Sequence, residues 1–435
     1  MKGCVRVGLF LVFLYQSAFS EAQEFKFQDT LKFAIEHAAS LNSFQKELEI
    51  SDLELKNAFY SFLPTFDLTT SYGLQKPGFQ APLSNSSPWA SDLNLNLSEK
   101  LYDNGESLIL YKVAKLKKEN AELIFRSERD RLCLLVASEY FKYSLNKKLY
   151  DVQKKQYELI SEEFRIVENQ YHLGMKTEKD YLRFKTNISR SRLDILEAEN
   201  NILRSELELK RDIGLQSQFP ASFQPIEETS FKNLEEIPLS FQKTENNLVY
   251  KSILLQESIN ESAAELSRKK YRPEVSLTAG YSFQNSGFLG NPSSFMSSAL
   301  GNANIMLTLK YNLLDWGTRG RQSEIAFIKN EIQSNELTTK KLGLDAEINQ
   351  LLLDLKQLKE NYLLSVELLR LEEISYHALQ SDYRQGKFSY LDLATGIKDF
   401  VDAQVKLYHT AFDLKTALMK YHFYNGTLYE TIFPK

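Results

Sequence analysis

Glycine and proline are absent from stretches of this sequence that are far longer than an ordinary helix. Residues 106–173 contain neither, and 68 consecutive residues would form a helix of roughly 100 Å at 1.5 Å per residue. Residues 321–385 contain only Gly343. Across the whole chain, 17 glycines and 10 prolines among 435 residues lie below the usual ~7% and ~5%. The sequence therefore predicts very long helices and excludes a disordered chain.

The residues that interrupt these stretches recur at a fixed distance along the chain. Six pairs of matching residues are 212 positions apart: Asp103 and Asp315, Gly105 and Gly317, Tyr171 and Tyr383, Gly174 and Gly386, Asp180 and Asp392, and Gly214 and Gly426. A fixed spacing of this kind indicates an internal repeat. We expect a first repeat over residues 21–214, a linker over 215–240 and a second repeat over 241–435.

The long stretches also have the periodicity of a coiled coil. The clearest apolar stripe, with 3.5-residue spacing, consists of Ile348, Leu352, Leu355, Tyr362, Val366 and Leu369. Lys359 interrupts this stripe, and charged residues fill the remaining faces. Such a pattern is typical of helices that pack along one another in a coiled coil or a bundle.

Each repeat also contains two segments in which apolar and polar residues alternate. In the last of them, Ile305, Leu307 and Leu309 share one face, and Asn304 and Thr308 share the other. This period of two predicts β-strands at about 66–75, 92–101, 274–284 and 303–313. Each strand is about ten residues long, which is the length that a tilted strand needs to cross a bilayer.

The first residues of the chain resemble a secretory signal peptide. Lys2 and Arg6 precede an apolar run, and residues 18–20 have a small-x-small cleavage pattern. We therefore expect residues 1–20 to be removed on export. The mature sequence contains no apolar run of the length that a membrane-spanning helix needs. We therefore expect the exported protein to be either soluble or inserted in a membrane as β structure.

Three features favour the membrane over a half-buried soluble sheet, which would show the same alternation. The chain is expected to be exported, and its strands have membrane-spanning length. Aromatic residues that favour membrane interfaces stand near the strand ends, at Trp89, Tyr102 and Trp316. Four strands cannot close into a barrel, and unpaired edges are costly in lipid. At least two copies of the chain must therefore contribute strands.

Short motifs at the ends of these elements resemble those of TolC-type outer-membrane efflux proteins. They are Leu-Pro at 63–64, Tyr-x-x-Gly at 171–174 and 383–386, Asp-x-Gly at 103–105 and 315–317, and Gly-x-x-Ser-x-x-Asp at 386–392. The resemblance covers nearly the whole mature chain. It implies a mainly α-helical fold with transmembrane β structure, built by a trimer. Four strands from each protomer would form a twelve-stranded barrel in the outer membrane, continued by a coiled-coil barrel of twelve helices in the periplasm.

The resemblance also implies partners and a function. Proteins of this family export substrates through the outer membrane. The ends of their helix hairpins meet a periplasmic adaptor protein and, through it, an inner-membrane pump or type I secretion transporter. We therefore expect an adaptor contact at the hairpin ends, at Tyr171, Gly174, Gly386 and Ser389. Drugs, metal ions, dyes and polypeptides all stay open as cargo, because such a tunnel selects through its partner pump.

The tunnel entrance is implied to lie at the same hairpin ends. By the resemblance, Asp392 contributes to a ring of carboxylates, and Asp180 and Tyr383 join neighbouring hairpins to hold the entrance shut. The sequence departs from the family pattern at two positions. Thr395 stands where a second acidic ring is expected, and Phe388 stands where a gate arginine is expected. We therefore expect a less negative entrance and a weaker polar lock.

The residues themselves offer a second interpretation of the two aspartates. Thr177 and Asp180 have the spacing of a capping box, and so do Ser389 and Asp392. In such a box the hydroxyl accepts from the amide of the third helical residue, and the acid accepts from the amide of the cap. Helix capping and gating therefore both stay open for Asp180 and Asp392.

Enzymes and nucleic-acid-binding proteins receive no support from the sequence. The five histidines form no HExxH motif and no close metal pair, and no GxSxG, GxGxxG or Walker loop is present. We assign no catalytic residue, no metal site and no cofactor. With 53 basic and 57 acidic residues, the formal net charge is -4. This balance provides no general basic field for nucleic acid.

Two other classes of exported helical protein fit part of the pattern. A secreted trimeric coiled-coil adhesin or structural fibre would have a continuous heptad with a terminal head. Here, paired strands interrupt the helices twice at equivalent positions. A soluble periplasmic adaptor would have a helical hairpin but no alternating strands of membrane-spanning length. An outer-membrane channel fits both the repeat and the strands.

Overall fold

The computed structural model describes residues 23–74, 89–226, 247–269, 272–285, 301–311 and 313–434. The expected signal peptide and much of the expected linker lie outside the described residues. The described strands are β1 (Gln23–Phe25), β2 (Thr65–Leu74), β3 (Trp89–Tyr102), β4 (Ala221–Phe223), β5 (Glu274–Asn285) and β6 (Gly301–Lys310). The described helices are α1 (Phe27–His37), α2 (Ala39–Tyr60), α3 (Glu106–His172), α4 (Glu178–Asp212), α5 (Leu248–Lys269), α6 (Thr318–Arg384), α7 (Tyr390–Tyr424) and α8 (Leu428–Ile432).

The long helices come in two pairs of equal length. α3 and α6 each contain 67 residues, and α4 and α7 each contain 35. α6 begins and ends 212 positions after α3, and α7 begins and ends 212 positions after α4. None of the described helices is long and apolar enough to cross a membrane. The fixed spacing between matching residues therefore reflects a repeat of whole helices along the sequence.

A glycine in the left-handed backbone conformation follows each of the two longest helices. Gly174 has a φ of 75° and Gly386 a φ of 78°. This region costs a residue with a Cβ atom roughly 1 to 2 kcal/mol. At both places the amides of the glycine and of the next residue donate to carbonyls of the last helical turn, at 2.8 to 3.0 Å. These are Schellman motifs, which explains why glycine stands at both positions.

The four longer strands form one antiparallel sheet in the order β2-β3-β5-β6. The register places apolar residues opposite one another on one face, where Leu95 is opposite both Leu68 and Tyr281. Polar residues share the other face, where Asn96 is opposite Asp67. The alternation that is visible in the sequence is therefore kept from strand to strand.

The largest differences from the expected strand boundaries are at the start of β3 and at the end of β6. β3 begins at Trp89, three residues before the expected start, because its pairing with β2 continues as far as Leu74. β6 ends at Lys310 and does not reach residue 313. Lys310 is opposite Glu274, and the preceding Pro273 has no amide hydrogen with which to continue the ladder.

The chain divides into two compact units. The first contains Met1–Gln45, Ile124–Lys251 and Leu342–Lys435, and the second contains Lys46–Leu123 and Ser252–Lys341. In the first unit, a buried cluster surrounds the parallel pair of β1 and β4. The buried hydroxyl of Tyr140 donates to the Phe25 carbonyl (3.2 Å), and that of Tyr143 donates to the Phe223 carbonyl (3.1 Å). Burial raises the pKa of Tyr143 to about 12.

Also in the first unit, α6 and α7 pack through an apolar seam. Most of the predicted stripe is confirmed, since Leu355 and Tyr362 are buried and Leu352 packs against the seam. Val366 is exposed, and the neighbouring Ser365 is buried in its place. The Ser365 hydroxyl donates to the carbonyl four residues earlier (2.7 Å). A serine satisfied in this way can occupy an apolar seam without leaving an unpaired polar group.

The second unit contains the four-stranded sheet, most of α5 and most of α2. Within it, Lys118 of α3 binds Asp52 of α2 at 2.7 Å, and Lys341 of α6 binds Glu257 of α5 at 2.8 Å. Hydrogen bonds from Lys118 and then Lys56 lower the pKa of Asp52 to about 2. Ion pairs between helices therefore accompany apolar packing in this unit.

Candidate functional site

The turns that end the two long helix pairs lie side by side in the first compact unit. One turn joins α3 to α4 at residues 173–177, and the other joins α6 to α7 at residues 385–389. Nζ of Lys176 in the first turn lies 5.8 Å from the ring centroid of Tyr383 beside the second turn. A cation at this distance is attracted to an aromatic face. The structure therefore brings the two expected hairpin ends of one chain together.

A buried carboxylate links the same two helix pairs. Glu163 of α3 is only 3% exposed. Nη2 of Arg384, the last residue of α6, lies 3.3 Å from Glu163 Oε1 and 3.8 Å from a carboxylate oxygen of Glu162. The other oxygen, Glu163 Oε2, has no hydrogen-bond partner among the described residues. Because the Arg384 side chain is 52% exposed, the buried negative charge is only partly compensated.

Apolar packing surrounds this ion pair. A buried cluster from α3, α6 and α7 consists of Val152, Ile160, Tyr376, Leu393, Ile397 and Val401. The ring of Tyr376 stacks on that of Phe400, with centroids 5.3 Å apart. Burial raises the pKa of Tyr376, and the nearby negative charge of Glu163 contributes to the shift. Glu163 is therefore held beside packed aromatic rings and not in solvent.

Asp392 takes part in a complete capping box at the start of α7. The Ser389 hydroxyl accepts from the Asp392 amide (3.4 Å). Asp392 Oδ2 accepts from the Ser389 hydroxyl (2.6 Å) and from the Ser389 amide (2.9 Å). These hydrogen bonds, with the hydroxyl contributing most, lower the pKa of Asp392. The predicted capping is confirmed here, and it fixes an exposed carboxylate at the turn.

At the start of α4, the predicted capping box forms only in part. The Thr177 hydroxyl accepts from the Asp180 amide (3.2 Å), so the threonine is a helix cap. The prediction that the Asp180 carboxylate bonds back to the amide of the cap is wrong. This carboxylate instead accepts from the Thr177 hydroxyl (2.9 Å).

The other predicted site residues surround the two turns. Tyr171 stacks on Tyr181 of α4, with ring centroids 4.8 Å apart, so its ring packs within the first hairpin. Phe388 is exposed in the second turn. The Thr395 hydroxyl donates to the carbonyl four residues earlier (2.9 Å). Gly174 and Gly386, which end α3 and α6, have open space where a Cβ atom would stand.

The described residues at these turns offer neither a group of metal ligands nor a reactive thiol. Among the described residues, no group of histidine, cysteine, aspartate and glutamate side chains could hold a metal ion. Cys133 is buried elsewhere in the first unit, and burial raises the pKa of its thiol to about 12. A thiol with such a pKa is unreactive at neutral pH. The turns offer instead exposed carboxylates, apolar side chains and contacts between hairpins.

A comparison with known protein families shows to which family the chain belongs. The family model described as outer membrane efflux protein matches residues 31–215 and 251–419, which are most of the sequence. The chain belongs to this family. The resemblance, the fold class and the outer-membrane location expected from the sequence are thereby confirmed, and the protein is an efflux channel of the outer membrane. A secreted fibre is no longer favoured.

Solved structures of outer-membrane channels have the same fold at low sequence identity. The Campylobacter jejuni CmeC outer membrane channel gives a TM-score of 0.81 at 18% identity, covering 92% of this chain and 86% of CmeC. The Vibrio cholerae outer membrane protein VceC gives 0.80 at 16% identity, covering 92% and 96%. The open state of the Neisseria gonorrhoeae MtrE channel gives 0.74 at 15% identity, covering 92% and 89%. No curated protein sequence matches this chain.

Three residues near the hairpin ends of this efflux protein belong to no recognisable motif: Glu163, Arg384 and Gly396. Glu163 lies between buried Ile160 and Val167 on α3, so an acid in an apolar stripe was its signal in the sequence. Gly396 allows α6 and α7 to approach, since Cδ1 of Leu379 would lie 2.6 Å from a Cβ atom there. Arg384 had no signal, because its partner is 221 positions away.

Proposed function

We propose that three copies of this efflux protein form one channel whose barrel has twelve strands. The observation that carries the proposal is the open sheet. In the described part of the chain, β2 and β6 each have a single neighbouring strand. Their outer backbone groups need partners inside a bilayer, and four strands are too few for a barrel. Pairing β6 of one copy with β2 of the next supplies those partners.

Exposed apolar stripes on the helices support the same assembly. The stripe on α4 has heptad spacing and consists of Leu193, Leu196, Leu203 and Leu207. The stripe on α6 consists of Leu353, Leu364, Leu368 and Leu371. Because α6 also carries a buried seam on another face, it is apolar on more than one side, as expected for a helix that packs between neighbours. Adjacent copies would cover these stripes and complete the helical wall.

We further propose that the hairpin ends bind a periplasmic adaptor, which connects the channel to an inner-membrane transporter. Four large apolar side chains are exposed on or beside the two turns: Leu173, Met175, Phe388 and Leu391. Such a group of apolar side chains marks an interaction surface. The predicted contact residues lie around the same turns, at Tyr171, Gly174, Gly386 and Ser389.

The hairpin ends also form the entrance in this proposal. Threefold symmetry would place three Asp392 carboxylates around one opening, where their combined field attracts cations. Asp180 and Tyr383 keep the gating role that the resemblance implies. The contacts of Tyr383 with Lys176 and of Arg384 with Glu163 join the two hairpins of one copy. Moving one hairpin away from the other would break both contacts.

Asp392→Asn should weaken the block of single-channel current by a trivalent cation added from the periplasmic side. Removing three carboxylates from one opening should raise the half-blocking concentration roughly tenfold or more, because the field that retains the cation is lost. Asparagine keeps a side-chain oxygen that can accept from the Ser389 amide, and the Ser389 hydroxyl can still accept from the amide at 392, so α7 should keep its start. Planar-bilayer recordings test this expectation, with the exposed acid Glu373→Gln on α6 as the matched control. Unchanged block in Asp392→Asn would leave capping as the only role of this residue.

A further inference from the structure

A cavity of about 460 Å³ lies between three of the long helices in the first compact unit. It is lined by segments of α3 (153–163), α4 (184–194) and α7 (393–402). Each segment spans about 15 Å at 1.5 Å per residue, so the cavity is elongated along the helices. Its volume is within the range of small-molecule binding sites.

Two buried hydrogen-bond acceptors line this cavity on α3. They are Glu163 Oε2 and Gln153 Oε1, and neither has a partner in the part of the chain that the structure describes. Their ten-residue separation places them near opposite ends of the cavity. Buried polar atoms are normally hydrogen-bonded to protein, water or a ligand. A molecule with a donor group at each end would satisfy both acceptors at once.

One side of the cavity wall is apolar, whereas polar and charged side chains form the rest of the lining. The apolar lining consists of Ile160, Phe184, Leu393, Ile397 and Val401. Most of these side chains are nearly fully buried, so they present a packed surface. An aliphatic chain would find van der Waals contact along this wall.

The charged residues of the lining leave an excess of negative charge at Glu163. Lys398 has its own acidic neighbour, since its Nζ lies 3.9 Å from the Asp402 carboxylate. Arg190 stands four residues before Asp194 on α4, a spacing at which opposite charges attract. In the described part of the chain, the only cation paired with Glu163 is the exposed Arg384, which binds its other oxygen. A buried carboxylate of this kind favours a cationic donor over a neutral one.

We propose that this cavity binds an elongated aliphatic amine with a second donor at its far end, of which an α,ω-diamine is the simplest example. One ammonium group donates to Glu163 Oε2 while Arg384 stays on Oε1. The methylene chain packs against the apolar wall, and the far amine donates to Gln153 Oε1. Nothing in this proposal requires the channel to be trimeric or the entrance to be gated.

Calorimetric titration of the purified full-length protein in detergent with decamethylenediamine tests the proposal. We expect one diamine to bind per chain. Decanediol has the same length without the charge and should bind at least about tenfold more weakly. Glu163→Gln keeps the size of the side chain but removes its charge, and it should weaken diamine binding about tenfold or more. The exposed neighbour Glu162→Gln is the matched control and should bind as the unsubstituted protein does.

Two further variants test whether the ion pair of Glu163 with Arg384 is needed for binding and whether the diamine occupies the cavity. Arg384→Gln removes the cation that shares Glu163, so diamine should bind at least as tightly as before. Ala394→Leu adds volume to the lining without removing a charge, and it should abolish binding. Absence of diamine binding to the unsubstituted protein would overturn the proposal, as would equal binding of decanediol or unchanged binding in Glu163→Gln or Ala394→Leu. The titration measures no current, so its outcome is independent of the channel proposal.

Discussion

Leu307→Arg should prevent assembly of the channel in the outer membrane, whereas Thr308→Arg should be tolerated. The two residues are neighbours on β6, and the register places them on opposite faces of the sheet, with Leu307 opposite Leu277 and Thr308 opposite Ser276. Leu307 is 67% exposed in the single chain, as expected for a side chain that faces lipid. An arginine at the middle of the bilayer costs roughly 2 to 4 kcal/mol, and every copy in the assembly would carry it.

The yield of assembled, heat-resistant protein in isolated outer membranes measures this difference. We expect a strong loss of assembled protein for Leu307→Arg. Thr308→Arg should give a yield close to that of the unsubstituted protein, with an altered single-channel conductance, because the polar face would line the pore. Equal tolerance of arginine at the two positions would mean that the apolar face is not the lipid face.

Arg384→Met should raise the resting conductance of the channel. Glu163 would lose the guanidinium that now binds Oε1 and would stay buried without a partner. Leaving a buried acceptor unsatisfied costs on the order of 1 to 3 kcal/mol. The contact that joins α3 to the end of α6 would be lost at the same time, so the two hairpins should separate more easily.

Planar-bilayer recordings in the absence of an adaptor test this prediction. Arg370→Met is the matched control, since Arg370 is exposed on the same helix and the substitution is chemically identical. We expect the control to keep the low resting conductance. A melting temperature lowered by Arg384→Met with no rise in conductance would show that the ion pair stabilises the fold but does not hold the entrance.

Much of the helical architecture could be predicted because scarce residues mark the helix ends. Gly174 and Gly386 stand where the backbone turns left-handed, and few other residues tolerate that conformation. The strands could be predicted because each has one apolar and one polar face. The ends of the strands were harder to predict from the sequence. β6 stops at Lys310 because the partner strand is preceded by Pro273, a cause that lies in another part of the chain.

The candidate site could be predicted only where it is local. The capping box of Ser389 and Asp392 involves residues three positions apart, so the sequence contains all of it. The pair of Glu163 and Arg384 depends on how two hairpins pack, and no spacing encodes it. The cavity likewise requires three helices at once. In the α6 stripe, Val366 was predicted in place of Ser365 because this helix is apolar on more than one face and a buried serine has no apolar signal in the sequence.

The mass of the detergent-solubilised protein tests the central claim most directly. Light scattering, with the contribution of the detergent subtracted, gives the number of chains in the particle. The account predicts three chains, because the edges of the sheet at β2 and β6 need partners from neighbouring copies. A stable monomer that keeps its β-sheet signal in circular dichroism would contradict the account, because a sheet of four strands would then survive with both edges unpaired.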